Sequence, residues 1–292
     1  MQVKKVLCPL DFSAGSKRAM RWAVRLTSEL GAELVLFHAW QIPVMSAESA
    51  FAPTLVADLV EAAEECLGAE LAEARAQGAA HVSTRLVSGP AWSMIVDEVA
   101  SGGFDLVVMG KHGRTGLQRF VLGSVAEKVV RHAGCPVLTI PPESEPKSFA
   151  SILVPIDFSE SARRAMEMAA ALVQRGGAGI TLLHVIELPV DYHGEPKIDG
   201  LMEMLDKRGA ESLDQWAAEL RAKTPVTVTT RSRIGRPASE VLAVLEEASA
   251  FDLVVTGSQG RTGLSRALLG SVAEKIVRHA PCPVLVARRG GS

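Results

Sequence analysis

Cysteine is scarce in this chain and its charges nearly cancel, and each shortage removes a class of function. There are four cysteines, Cys8, Cys66, Cys135 and Cys282. None forms a Cys-x-x-Cys pair and none stands at metal-ligand spacing from a histidine, so a structural metal is not expected. Cys135 and Cys282 open matching short apolar runs and read as small buried residues. The 31 basic and 33 acidic residues leave a net charge of −2. Neither half carries the basic excess of a nucleic-acid binder. No apolar run approaches the ~18 residues of a membrane span. The opening MQVKKVLCPLDFS reaches Asp11 after a stretch too short for a secretory signal core. These absences predict a soluble, cytoplasmic chain with neither nucleic acid nor membrane as partner.

What is present is a repeat. Gly110–Leu138 reads GKHGRTGLQRFVLGSVAEKVVRHAGCPVL, and Gly257–Leu285 reads GSQGRTGLSRALLGSVAEKIVRHAPCPVL. Aligned without gaps, 22 of 29 positions are identical. An apolar run rich in valine precedes each copy, Leu106–Met109 and Leu253–Thr256, and reads as a buried strand entering a turn. Ser124-Val-Ala-Glu127 and Ser271-Val-Ala-Glu274 read as capping boxes, with serine at the N-cap and glutamate three residues on. Val125, Val129 and Val130 continue at helical spacing. Lys128, Arg131 and His132 fall where the helix dipole favours cations. The unit is strand, glycine-punctuated loop, helix, strand.

The rest of the chain repeats as well. Val6–Phe12 (VLCPLDF) returns as Ile152–Phe158 (ILVPIDF), His38 as His184 and Gly89 as Gly235, all at an offset of 146. Arg236 is a one-residue insertion that makes the offset 147 from Pro90 and Pro237 onward. A proline-rich, charged linker, Pro141–Ser148, joins the copies, which gives domains 1–146 and 147–292. In the first half, strands are expected at Val3–Leu10, Glu33–Trp40 and Val82–Val87. Helices are expected from Asp11-Phe-Ser13 to Leu30, with Gly31 as the stop, over Ala47–Gln77 and over Trp92–Ala100. Five strands alternating with helices predict an α/β fold, two tandem doubly wound parallel sheets.

A glycine loop running into a helix N-terminus suits a phosphate chain: the backbone can come close, and unpaired N–H groups point at the ligand. Lys111, Arg114 and Arg119 add charge in the first copy, Arg261 and Arg266 in the second. Lys111 has Ser258 as its counterpart, so loop charge alone ranks the first half as the tighter site at low salt. The alternative is that the glycines are only turns and the serines only caps. No lysine stands directly before Ser124 or Ser271, which excludes a P-loop. Gly-x-Gly-x-x-Gly is absent from both copies, which excludes the dinucleotide fingerprint.

Gly110-x2-Gly113-x9-Gly123-Ser124 and Gly257-x2-Gly260-x9-Gly270-Ser271 match the Gly-x2-Gly-x9-Gly-Ser/Thr signature of ATP-binding universal stress proteins. Over nearly its whole length the chain resembles a tandem member of that family. The resemblance implies a Rossmann-like strand order of 3-2-1-4-5 in each half. The two halves are expected to pair as an internal pseudo-dimer through Val137–Ile140 and Val284–Ala287, which would protect otherwise exposed strand edges, with a further homodimer left open. It implies a stress-response role and ATP, ADP or AMP as ligand, with Mg²⁺ accompanying the nucleotide. In an open α/β sheet the ligand lies where the winding reverses, beyond strands one and four. Residue by residue, the resemblance places Asp11 and Ala39 by the nucleoside, flanked by Pro9 and Met109. Gly110, Gly113, Arg114, Gly123, Ser124 and Val125 would hold ribose and phosphates. The second half offers Pro155, Asp157, Val185 and Thr256, then Gly257, Gly260, Arg261, Gly270, Ser271 and Val272. Each aspartate could instead serve only an Asx turn at the helix start. His38 and His184 lack a nucleophile or carboxylate partner at recognisable spacing and read as satisfied structural histidines. The enzyme alternative, a slow ATP hydrolase or nucleotidyl transferase in the same crevice, lacks a clear general base, and no catalytic residue is assigned.

Overall fold

The computed structural model describes residues 3–41, 52–113, 122–173, 179–187, 196–247, 251–260 and 269–288. The chain divides into two compact units, one ending at Pro146 and the other running Lys147–Arg288. The first contains β1 (Lys5–Pro9), α1 (Ala14–Leu30), β2 (Glu33–Trp40), α2 (Ala52–Ala76), β3 (Val82–Ser88), α3 (Ala91–Gly102), β4 (Leu106–Gly110), α4 (Ser124–His132) and β5 (Val137–Ile140). The second contains β6 (Ser151–Ile156), α5 (Glu160–Leu172), β7 (Gly179–Ile186), α6 (Pro196–Lys223), β8 (Thr227–Ile234), α7 (Pro237–Glu247), β9 (Leu253–Gly257), α8 (Ser271–His279) and β10 (Val284–Ala287). Residues 47–51 of the expected second helix lie outside the described residues.

Within the first unit the strands run parallel in the order β3-β2-β1-β4-β5, and within the second β8-β7-β6-β9-β10. This is the doubly wound arrangement expected of each half. Helix α1 packs with α2, and α3 with α4. The central strands are covered on both faces: Val6, Leu7, Cys8, Val107 and Val108 are fully buried. Near-continuous apolar runs are what such a covered parallel strand requires. Helix α1 starts and stops at the expected signals. The Ser13 side chain accepts a hydrogen bond from the Ser16 N–H, and Gly31 closes the helix at φ 68°. Among the described residues no helix is long and apolar enough to cross a membrane.

The sheet opens where the site was expected. β1 and β4 pair only at Val6↔Leu106 and Leu7↔Val107, and β6 and β9 only at Ile152↔Leu253 and Leu153↔Val254. Beyond those pairs the carboxyl ends separate, because α1 and α4 leave the sheet on opposite sides. Pro9 explains itself here. The Leu10 N–H bonds Phe37 O on β2 at 2.7 Å. The alternation of a parallel strand therefore turns the donorless nitrogen of Pro9 towards the gap, where no ladder bond is lost. Pro155 occupies the matching position in the second unit.

One expectation at this end is corrected. Ser124 and Ser271 are the first residues of α4 and α8, not their caps. The N-caps are Gly123 and Gly270, at φ −60° and −66°, and neither helix start has a side-chain cap hydrogen bond. The capping box fails because the serines sit one residue too late to reach back to the first-turn donors. The buried face of α4 is Ala126, Val129 and Val130, so Val125 is left at the helix mouth.

Candidate functional site

A cavity lies at each opening of the sheet. The first, of about 200 Å³, brings together Pro9, Asp11 and Ala39 with Met109, Gly110, Gly113, Gly123, Ser124 and Val125. The second, of about 670 Å³, brings together Pro155, Asp157 and Val185 with Thr256, Gly257, Gly260, Gly270, Ser271 and Val272. These are 18 of the 20 residues picked from the sequence. The other two, Arg114 and Arg261, lie outside the described residues, as do Arg119 and Arg266.

Backbone hydrogen bonds set the spacing of the loop. Gly123 N–H bonds Lys111 O at 2.9 Å and Gly270 N–H bonds Ser258 O at 2.8 Å, which closes each loop at its base. Lys111 N–H in turn bonds Ile140 O at 2.8 Å, tying the loop to the end of β5. The anchors Lys111 and Gly123, and Ser258 and Gly270, are thereby held over the crevice.

The signature glycines do three different jobs. A Cβ on Gly110 would lie 3.0 Å from the backbone of Gly15, and one on Gly257 would lie 2.6 Å from Ser161 Oγ. Those two are glycine because the strand end presses against the first turn of the neighbouring helix. A Cβ on Gly113 would lie 2.5 Å from Asp11 Oδ2, and one on Gly260 3.0 Å from Asp157 Oδ2. There the carboxylate reaches across the gap to the loop. Gly123 and Gly270 are different. Their φ values suit any residue, and a Cβ would meet nothing closer than 3.3 and 3.5 Å respectively. No positive φ and no severe clash demands glycine at either position.

Both aspartates make the Asx turn. Asp11 Oδ1 accepts from Ser13 N–H at 3.0 Å and from the Ser13 hydroxyl at 2.6 Å, and Asp157 Oδ1 accepts from Ser159 N–H at 3.0 Å. Only Oδ1 is used in this way; Oδ2 is the oxygen that faces Gly113 or Gly260. The turn and the crevice thus use different oxygens of one carboxylate.

The histidines are structural. Nδ1 of His38 donates to Leu10 O at 2.7 Å, and Nδ1 of His184 donates to Ile156 O at 2.8 Å. A carbonyl can only accept, so the Nδ1–H form is fixed in both. Each imidazole packs on a phenylalanine, Phe12 at 4.4 Å and Phe158 at 4.6 Å between ring centroids. Both phenylalanines hold left-handed backbone, φ 62° and 63°, a conformation that is costly for an aromatic residue. Nothing in the sequence signals that strain except its position in the repeated Asp-Phe-Ser. Trp40 and Trp92 do not line the first cavity; Trp92 lies against His132 and under Lys128.

One wall of the second cavity carries no signal in the sequence. Leu205, Arg208, Gly209 and Ser212 of α6 line it. Those residues read as an ordinary polar helix face and carry no motif. Lys111 lines the first cavity and is only 3% exposed, a burial that a lysine in a glycine-rich loop does not signal. Among the described residues no group of three His, Cys, Asp or Glu side chains could hold a metal ion.

The model of the universal stress protein family matches residues 2–141 and again 148–288. This chain belongs to that family. A universal stress protein of Mycolicibacterium smegmatis is 30% identical over 293 residues, covering 97% of this chain and 96% of its own length. Another, from Thermus aquaticus, is 37% identical over 143 residues, which is 48% of this chain and 99% of that protein. The relatives therefore include both tandem and single-unit chains. The crystal structure of a universal stress protein from Archaeoglobus fulgidus aligns with a TM-score of 0.71 at 25% identity, covering 99% of this chain and 100% of that one.

Proposed function

We propose that this universal stress protein binds an adenine nucleotide in each half, ATP above all, and acts as a nucleotide-dependent binding or regulatory module in a stress response. The phosphates would meet the first-turn N–H groups of α4 and α8, at Ser124, Val125, Ser271 and Val272. The nucleoside would lie by Asp11 and Asp157, with the base against the backbone at Ala39 and Val185. Mg²⁺ would come with the nucleotide; the chain's own contribution would be the loop backbone and the helix dipole.

The observation that carries this reading is the pair Gly123 and Gly270. Each is an N-cap with ordinary φ, each lacks a side-chain cap bond, and each borders a cavity. Turn geometry does not call for glycine there, and capping would favour serine or aspartate. A helix start left both uncapped and without a Cβ is suited to a ligand that supplies the acceptors itself.

The test is calorimetry with ATP on the full chain and on Gly123→Val plus Gly270→Val. A Cβ would approach Lys111 O at 3.3 Å at Gly123 and no atom closer than 3.5 Å at Gly270, contacts that small shifts relieve, so circular dichroism should stay native while binding is lost. Unchanged affinity in the double variant would show that the helix mouths are not the phosphate sites. Collapse of the fold would mean that the glycines are structural after all.

A further inference from the structure

The two signature loops are nearly identical, yet the cavities beneath them are not. We infer that the halves bind nucleotide unequally, with the second half holding the primary site and Lys111 obstructing the first; this rests on the nucleotide reading above. Pockets for drug-sized ligands run from roughly 300 to 1,000 Å³. The second cavity, at about 670 Å³, falls inside that range and the first, at about 200 Å³, falls below it.

Two sequence differences account for the contrast. Directly after β4 the first half has Lys111, which lines the cavity and is 3% exposed. Its counterpart Ser258 is short, and it is not part of the second cavity's wall. The second difference is on the facing helix. Arg208, Gly209 and Ser212 of α6 line the second cavity. At the offset of 146 the first half has Ala62, Ala63 and Cys66, and none of them lines the first. Gly209 is what allows the approach: a Cβ there would lie 2.9 Å from Cδ2 of His184 and 3.3 Å from its Nε2. With α6 against that imidazole, Arg208 comes to the rim as a cation that Ala62 cannot supply.

Loop charge alone ranks the halves the other way, because it counts Lys111 as an additional partner for phosphate. Burial reverses the ranking. On this reading a nucleotide entering the first half competes with a buried lysine that already has an interaction partner, and the cost of any rearrangement is subtracted from its affinity. The second half has no such residue at that position and offers an exposed guanidinium at its edge, suited to charge-assisted contact with an anionic ligand.

The experiment is an ATP titration of the full chain and four single variants, followed by calorimetry. The wild type should show two phases differing at least about tenfold in Kd. The tight phase should vanish in Gly270→Val and survive in Gly123→Val. Lys111→Ser should strengthen the weak phase and narrow the gap. Arg208→Ala, at an exposed rim position, should weaken the tight phase several-fold, and it assigns the site even if Gly270→Val does not fold. Two equal phases in the wild type, loss of the tight phase in Gly123→Val, or a weaker first site in Lys111→Ser would each overturn the inference while leaving nucleotide binding intact. No binding of ATP to the wild type would instead overturn the nucleotide reading itself.

Discussion

At the scale of single residues, burial decides which groups can react. The Cys8 thiol is fully buried, and burial first, then the nearby Glu70 charge, pushes its pKa far above the ordinary thiol value. Cys135 and Cys282 are buried too, whereas Cys66 is exposed on α2. Since the thiolate is the nucleophile, iodoacetamide should label one thiol per native chain, at Cys66, and all four after denaturation. Labelling of Cys8 in the native state at a comparable rate would show that the centre of the first sheet opens. The burial of Cys135 and Cys282 was legible from their matching places just ahead of apolar strands and the absence of any partner spacing. The helix starts were not, because a Gly-Ser pair ahead of an apolar run fits either a serine cap or a glycine cap. Only the backbone shows that the chain turns one residue earlier, at Gly123 and Gly270. The strain at Phe12 and Phe158 was equally hidden, since no local residue type forces positive φ on an aromatic.

Among the elements, the contact between the first two helices of each unit uses two different solutions. Lys17 on α1 bonds Glu70 on α2 at 2.7 Å, and the Glu70 carboxylate is 4% exposed against 43% for the lysine. In the second unit the same place holds Trp216, with the Arg163 guanidinium 4.3 Å above its ring and Glu219 at 2.7 Å from the same arginine. Truncating Lys17 strands a buried carboxylate, which costs several kcal/mol in a fully buried pair but ~0–1 in an exposed one. With the ammonium half in water, Lys17→Met should destabilise the first unit by about 2 kcal/mol in urea unfolding. The hydrogen bond to Glu70, and then its charge, raises the Lys17 pKa above the ordinary lysine value. The contribution is therefore fully present below the unfolded pKa of about 10.4 and lost as pH rises through the higher folded value. The wild-type advantage over Lys17→Met should accordingly persist at neutral pH and shrink only in strong alkali; an advantage lost already at pH 9 would contradict the pairing. The linker shows the opposite sign. Arg18 bonds Glu145 and, with Arg21, holds its pKa below the usual carboxylate value, so that tether weakens as pH falls through the lowered value. The alternation of strands and helices followed from the apolar period and the repeat, and the strand order within each sheet from the family resemblance. The α6 wall did not, because Arg208 and Ser212 read as solvent-facing until Gly209 is seen against His184.

At the scale of the whole molecule, two compact units on one chain mean that unfolding need not be a single two-state event. A ligand at about 100 times its Kd stabilises the state that binds it by about 2.7 kcal/mol. With ATP held between the two dissociation constants, hydrogen exchange should slow in Lys147–Arg288 before it slows in the first unit. Equal protection of both units at every concentration would argue for equivalent sites. The duplication also bears on how such a chain changes over time. Both copies keep the strained phenylalanine turn at φ 62° and 63° and the histidine that packs on it, while the matching helices differ: α6 lines the second cavity and α2 does not line the first. A fixed turn beside a variable wall lets one copy of a duplicated fold diverge from its twin, so two unequal cavities can arise from a handful of side-chain changes and no new fold.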